Sequence, residues 1–239
     1  MLKSKISCQQ CALKSFCLPI GLSDSETQQL NAIIKRGQPL NKGDILYQKG
    51  QKLNGIYAVI SGSFKTYIED QQQRHIIGYH LPGELLALDA ISSQYYSCTA
   101  EALETSTFCE LPFDQLSALT AKIPMLQNRV FTLLSKEISS ITGKQRVITK
   151  INANEALAYF LIDISHRYAQ RGFSANDFFL TLSRGELGSY LGLAEETVSR
   201  IFSSFQKQGL IKITRRHIEI LDMPALKEII VHIALNQPD

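Results

Sequence analysis

Cys8, Cys11 and Cys17 stand near the start of the chain in a C-x2-C-x5-C spacing, and Cys98 and Cys109 follow much later. Five is an odd number of cysteines. The opening stretch MLKSKISCQQC also has no apolar run of the secretory kind, so the expected compartment is the cytosol. A disulfide framework is not expected there, and metal or redox chemistry is the better reading of a cysteine cluster. Soft thiolates suit both zinc and iron–sulfur sites, and the residue types alone do not separate the two. Residues 12–16 between Cys11 and Cys17, Ala-Leu-Lys-Ser-Phe, form a short loop whose apolar members can shield such a site.

A second group of residues suits nucleic acid. Ser183 opens a segment with Glu186 three places on, the spacing of a capping box. Gly192 falls where a sharp turn needs positive φ. A second helix follows from about Ala194, with Val198, Ile201, Phe202 and Phe205 on its inner face. Glu196, Ser199 and Arg200 are spaced i, i+3 and i+4, so they share the opposite face. Arg can bond guanine O6 and N7 bidentately, and Glu can accept from cytosine N4, so this face suits the major groove. A hairpin, Leu210–Thr214 with His217–Leu221, turns at Arg215-Arg216 and reads as a wing beside phosphates. The candidate DNA-contacting residues are Arg184, Glu196, Ser199, Arg200, Arg215 and Arg216. The other reading of the pair, a plain helical hairpin, explains neither the turn glycine nor the wing.

The elements that must position these groups follow from pattern. The chain has 239 residues, 44% apolar and 20% charged, an ordinary globular composition. No run is long and apolar enough to span a membrane. Net charge is +3, and residues 151–239 carry nine Lys/Arg against ten Asp/Glu. Any nucleic-acid contact there depends on placement, not bulk charge. Residues 1–20 form a cysteine-rich loop. A helix with the cap types Ser23 and Asp24 follows and runs past Leu30, Ile33 and Ile34. Within 21–122 the chain then reads as short strands with turn signals: Ile45–Tyr47, Ile56–Ile60, Phe64 to Ile68, and His75 to Leu81, stopped by Pro82-Gly83. Such spacing suggests a small barrel or jelly roll. Residues 123–151 change period. Phe131, Leu134, Ile138, Ile141, Gln145 and Ile148 occupy alternating a and d positions, the seam of a coiled coil. A core helix packed on its own domain is the other reading. Polar flanks (Lys136, Glu137, Lys144, Arg146) favour a dimer helix. Residues 152–239 read as an α-rich unit with a helix from Glu155 to Ala169, a short strand Phe179–Leu182, the two helices and the hairpin. The expected class is α+β: an N-terminal β-roll (jelly-roll) sensor domain, a long dimerisation helix and a C-terminal winged helix-turn-helix.

An enzyme on a jelly-roll fold needs His/Glu metal ligands on inner strands. Only His75 and His80 occur in the roll, without a supporting pattern.

Over nearly its whole length the sequence resembles the cyclic-AMP receptor/FNR superfamily of transcription regulators, and within it the FNR (fumarate–nitrate reduction) type. The resemblance rests on Glu196-Thr-Val-Ser199-Arg200, on Ser183-Arg-Gly-Glu-Leu-Gly-Ser-Tyr-Leu-Gly-Leu, on Arg171-Gly-Phe-Ser with Leu180-Thr, and on the cysteine pattern with Cys109 in Ala102-Leu-Glu-Thr-Ser-Thr-Phe-Cys109-Glu-Leu-Pro. It implies a homodimer on a palindromic TTGAT-type DNA site. It also implies a [4Fe-4S] oxygen-sensing cluster ligated by Cys8, Cys11, Cys17 and Cys109. Four thiolates are what such a cube takes, one per iron. Cys98, outside that set, reads as a buried small hydrophobe. The loop Glu69–His75 is a candidate contact for RNA polymerase. Relatives that bind cyclic AMP carry an Arg-Ser pair after a Gly-Glu. Here Gly83-Glu84 is followed by Gln94-Tyr95-Tyr96-Ser97-Cys98, with Tyr96 in place of the Arg and no basic residue between Glu84 and Lys122. No cyclic nucleotide is expected, since its phosphate would lack a cation. FNR-type members carry an acidic residue on the dimer seam. The matching residue here is Ile141, which favours association.

Overall fold

The computed structural model describes residues 7–70, 73–148 and 152–230, with the side chains of 140–148 outside the description. The chain divides into two compact units, residues 1–138 and 139–239.

The first unit begins with a 3-10 turn, Cys8–Gln10, and a loop to Gly21. Helix α1 (Asp24–Ile33) starts at a capping box in which Ser23 and Glu26 satisfy each other's backbone amides. It ends at Ile34, a little earlier than the apolar pattern suggests. The next residues, β1 (Lys35–Arg36), are instead drawn into pairing with β8 (Thr107–Pro112), with Arg36 opposite Cys109. The remaining roll strands are β2 (Ile45–Tyr47), β3 (Gly55–Ser61), β4 (Phe64–Asp70), β5 (Gln73–His80), β6 (Leu85–Leu86) and β7 (Thr99–Ala102). A short helix, α2 (Ala90–Ser93), separates β6 from β7.

Two four-stranded antiparallel sheets result, ordered β1-β8-β3-β6 and β2-β7-β4-β5. Between them lies one core, with Tyr57, Val59 and Phe108 from the first sheet and Tyr47, Phe64 and Ala100 from the second. The opposite face of the first sheet offers Ile56, Ala58 and Leu111 to a second core, which takes Leu18, Leu30, Leu116, Leu119 and Leu126. That face is covered by α1, by α3 (Phe113–Thr120) and by the first turns of α4 (Pro124–Ile148). Strand β8 therefore sends Phe108 to the inter-sheet core and Cys109 and Leu111 to the helical side, as the two-residue strand period requires.

Helix α4 has two apolar stripes. Leu126, Val130, Leu133 and Leu134 face the roll, while Phe131 (58% exposed) and Ile138 (65% exposed) stand clear of it. The packing of one face on the roll matches the core-helix reading of this helix, the other stripe is exposed, and Leu134 is half-buried between them. Ile141, Gln145 and Ile148 lie outside the described side chains.

In the second unit, α5 (Ala153–Gln170) starts at an Asn152–Glu155 capping box and buries Leu157, Phe160, Leu161 and Ile164. Strand β9 (Asp177–Phe179) precedes α6 (Arg184–Leu191) and α7 (Glu195–Lys207). The wing is β10 (Ile211–Thr214) with β11 (His217–Ile220), and α8 (Met223–Glu228) follows. The three strands form an antiparallel sheet ordered β10-β11-β9. The strand expected at Phe179–Leu182 is displaced toward the N-terminus. Phe178 pairs with Ile218, and after Leu180, whose amide donates to the Arg216 carbonyl at 2.8 Å, the chain leaves the sheet to reach the α6 cap.

Candidate functional site

Cys8, Cys11, Cys17 and Cys109 line a single pocket, together with Leu13, Leu18, Ile34, Arg36 and Val59. Cys109 reaches it from β8 in the middle of the first sheet, between β1 and β3. Cys8 is placed by Asn31 of α1, whose Oδ1 accepts from the Cys8 amide at 3.1 Å and from Arg36 Nη2 at 2.9 Å. Buried Leu13 and Leu18 anchor the loop that carries Cys17, and the Cys17 amide donates to the Leu13 carbonyl at 3.0 Å. The shielding role expected of the intervening residues thus falls to Leu13, since Ala12 is exposed.

Burial raises the thiols first and foremost. Cys17 is pushed up to about 12 by desolvation, opposed by a hydrogen bond from the Leu18 backbone and reinforced by the neighbouring cysteines. Cys17 keeps some exposed surface as a residue, but its sulfur is enclosed. Burial likewise takes Cys109 up to about 11, with Arg36 acting in the opposite sense and Cys8 and Cys11 adding to the rise. Cys8 is raised by burial and eased back by Arg36. Cys8, Cys17 and Cys109 each therefore feel at least one neighbouring cysteine in the pocket. Yet no three His, Cys, Asp or Glu side chains among the described residues gather closely enough to hold a single metal ion. A mononuclear site needs its ligands on one point, about 2.3 Å from zinc. A cube that takes one thiolate at each iron needs them spread around a body of its own size. The pocket supplies four thiols, the number of donors that such a cube takes. Cys98 lies elsewhere, 4% exposed in the inter-sheet core with its sulfur 4.0 Å from the Tyr47 hydroxyl. The expectation that it is a buried small side chain holds.

That inter-sheet core also contains Tyr96, 3% exposed and stacked on Tyr47 at 4.2 Å between ring centroids. Its hydroxyl donates to the Gly55 carbonyl at 3.1 Å and accepts from the Asn54 and Gly55 amides at 3.3 Å. An aromatic ring tied into the core stands where nucleotide-binding relatives are expected to carry a phosphate-clamping arginine.

In the second unit, Ser183 and Glu186 form the expected capping box, and Gly192 ends α6 at φ +70°. Val198, Ile201, Phe202 and Phe205 of α7 are buried, and Glu196, Ser199 and Arg200 are exposed together on its outer face. Arg184, Arg215 and Arg216 line one depression with Leu180, Leu182, Ser183 and Ile218, between the wing and the start of α6. The three are not equivalent. The Arg184 guanidinium lies 3.5 Å over the Phe202 ring, and its burial lowers its pKa. Arg216 donates from Nη1 to the Thr181 carbonyl at 3.0 Å. Arg215 is exposed at the hairpin tip in the left-handed region, φ +61°. Arg184 and Arg216 thus also hold the wing and the helix pair in shape.

Sequence reasoning missed three residues. Gly188 is one: a Cβ there would lie 2.5 Å from the Leu193 carbonyl oxygen, so the tight α6–α7 turn requires glycine. Gly188 lies four residues before Gly192, the glycine whose role was legible. Asn31 and Arg129 are the others, and only the folded neighbourhood reveals them.

A β-roll of this topology joined in one chain to a winged helix-turn-helix defines a DNA-binding transcription regulator of the Crp type. Residues 38–122 match the cyclic nucleotide-binding domain and residues 155–229 the Crp-like helix-turn-helix domain. The chain is 42% identical to the anaerobic regulatory protein of Haemophilus influenzae, over 94% of this chain and 88% of that one. It is 41% identical to the fumarate and nitrate reduction regulatory protein of Escherichia coli, over 95% and 91%. FixK2 from Bradyrhizobium japonicum shares the fold at a TM-score of 0.76 and 23% identity, over 82% of this chain and 97% of that one. The chain belongs to the FNR family of Crp/FNR transcription regulators. It is a regulator with a helix-turn-helix that binds DNA, and not an enzyme. No helix among the described residues is long and apolar enough to cross a membrane.

Proposed function

We propose that this protein is an oxygen-responsive transcription regulator that carries a [4Fe-4S] cluster on Cys8, Cys11, Cys17 and Cys109 and binds a palindromic TTGAT-type site as a homodimer. The observation that supports the reading is the shared pocket, which four cysteines from a loop and a central strand line together. A cluster held by Cys8, Cys11, Cys17 and Cys109 would supply oxygen sensitivity, because its loss in air would free all four side chains at once. The protein's residues supply the rest. Burial favours the protonated thiols of Cys17 and Cys109, so these side chains would give up protons on taking up a cluster and would then tie the N-terminal loop to β8. Arg36, opposite Cys109 in the sheet, provides a cation beside the anionic set.

Glu196, Ser199 and Arg200 read base edges, while Arg184, Arg215 and Arg216 serve the phosphate backbone. Phe131 and Ile138, exposed on α4, begin the dimer seam that continues in sequence through Ile141, Gln145 and Ile148. A cyclic nucleotide is not a ligand, since Tyr96 occupies the expected clamp position and is spent on the core. Glu69–His75, of which residues 71 and 72 lie outside the described residues, are the candidate contact for RNA polymerase.

Serine in place of each cysteine in turn tests the ligand set. Iron content should collapse for Cys8, Cys11, Cys17 and Cys109 and stay at the wild-type value for Cys98→Ser. Loss of iron at Cys98 with retention at any of the four reverses the assignment.

A further inference from the structure

We propose that Arg129 is a positioning residue that couples the cysteine loop to the dimer helix. Arg129 lies in the second turn of α4, more than a hundred residues from the loop in sequence. Its Nη2 donates to the Phe16 carbonyl at 2.7 Å and its Nε donates to the Cys17 carbonyl at 3.0 Å. One planar guanidinium thus grips two successive carbonyls of the segment that presents Cys17. Bonds from a charged donor are the strong kind, and the fixed fork sets direction as well as distance.

The grip is costly to break. Arg129 is partly buried, and desolvation lowers its pKa, with the Cys17 thiol acting in the opposite sense. If the loop moved alone, a desolvated cation would lose two partners. Loop and helix are therefore expected to move together. On the same turns of α4, Val130 and Leu133 face the roll and Phe131 faces outward, so a small rotation of these turns redirects the exposed stripe.

This coupling rests on the cluster reading, and it meets a need particular to this chain. Ile141 leaves the seam without a carboxylate, so repulsion across the two-fold cannot carry a signal from the cluster. Arg129 gives the signal a route through hydrogen bonds.

The test is amide hydrogen exchange on the full chain, cluster-loaded and cluster-free, for wild type, Arg129→Met and Arg129→Lys. In wild type, loading should slow exchange both in residues 13–18 and in the first turns of α4. In Arg129→Met the iron and sulfide content should remain, because every thiol remains. Slowing of the α4 amides on loading should be lost, and the cluster should disappear in air about tenfold faster, the equivalent of about 1.4 kcal/mol. Arg129→Lys keeps the charge but not the fork, so its cluster lifetime should fall between the two. Unchanged α4 protection and lifetime in Arg129→Met overturn the proposal. Should that variant fail to fold, wild-type behaviour of Arg129→Lys overturns it. If wild type takes up no iron, the cluster reading fails by itself. The cluster-free comparison then decides the grip: faster exchange at 13–18 in Arg129→Met supports it, and no change overturns it.

Discussion

Cys98 and Cys11 differ in surroundings although both are cysteines. Cys98 is held between the sheets, and burial takes its thiol up to about 11 from an ordinary value near 9, with Asp89 adding to the rise. The thiolate is the nucleophile, so a raised pKa leaves almost none of it at pH 8. Cys11 lies partly exposed on the loop. In cluster-free protein at pH 8, alkylation should mark Cys11 first and leave Cys98 unmodified until the fold is lost. Rapid modification of native Cys98 would contradict its placement. At the DNA face, Arg200 is exposed and shares its face with Glu196 and Ser199. Arg200→Ala should cost about 1–3 kcal/mol of DNA affinity and relax preference at one base pair, measured by binding to single-mismatch sites. Arg215→Ala should weaken all sequences alike and reduce the salt dependence by about one unit. A uniform loss in Arg200→Ala would mean that α7 lies otherwise in the groove.

Helices and strands account for what was legible. The helix cap at Ser23, the capping box at Ser183, the inner face of α7 and the wing are local patterns, and each formed where the sequence pointed. Local pattern fails where long-range pairing decides. Lys35 and Arg36 leave the helical register because β8 offers them a ladder, and Phe178 rather than Leu182 pairs with β11 because Leu182 must lead into the α6 cap. Asn31 and Arg129 were invisible for the same reason, since their partners lie 23 and more than a hundred residues away. Gly188 shows how contact overrides propensity. Alanine in a helix is ordinarily better than glycine by about 1 kcal/mol. At this position the added Cβ meets a backbone oxygen at 2.5 Å, which cannot yield as a flexible side chain would. Overpacking of this kind costs about 1–3 kcal/mol, so Gly188→Ala should lower the urea midpoint of the DNA-binding unit. A raised midpoint would show that the α6–α7 turn relaxes freely.

At the scale of the molecule, the exposed Phe131 and Ile138 lead into a sequence stripe, Ile141, Gln145 and Ile148, with no charge. Burying a side chain such as Ile141 contributes about 1.5–3 kcal/mol. Gln145 can pair with its mate and fix the register, as a buried amide does in coiled coils. The cluster-free protein should therefore sediment as a dimer at micromolar concentration, and Ile141→Asp should turn it into a monomer by setting two carboxylates against each other. A cluster-free wild-type monomer would restore dimerisation as the switch. A dimer with and without the proposed cluster would leave a change other than association as the switch, which requires only a few kcal/mol of difference between two states.

The cluster itself is the centre of the account. Iron and acid-labile sulfide should be measured in protein purified without oxygen, before any reconstitution. About four iron and four sulfide per chain are expected, falling to background in Cys109→Ser and unchanged in Cys98→Ser. A colourless wild-type protein with one zinc and no sulfide would contradict it.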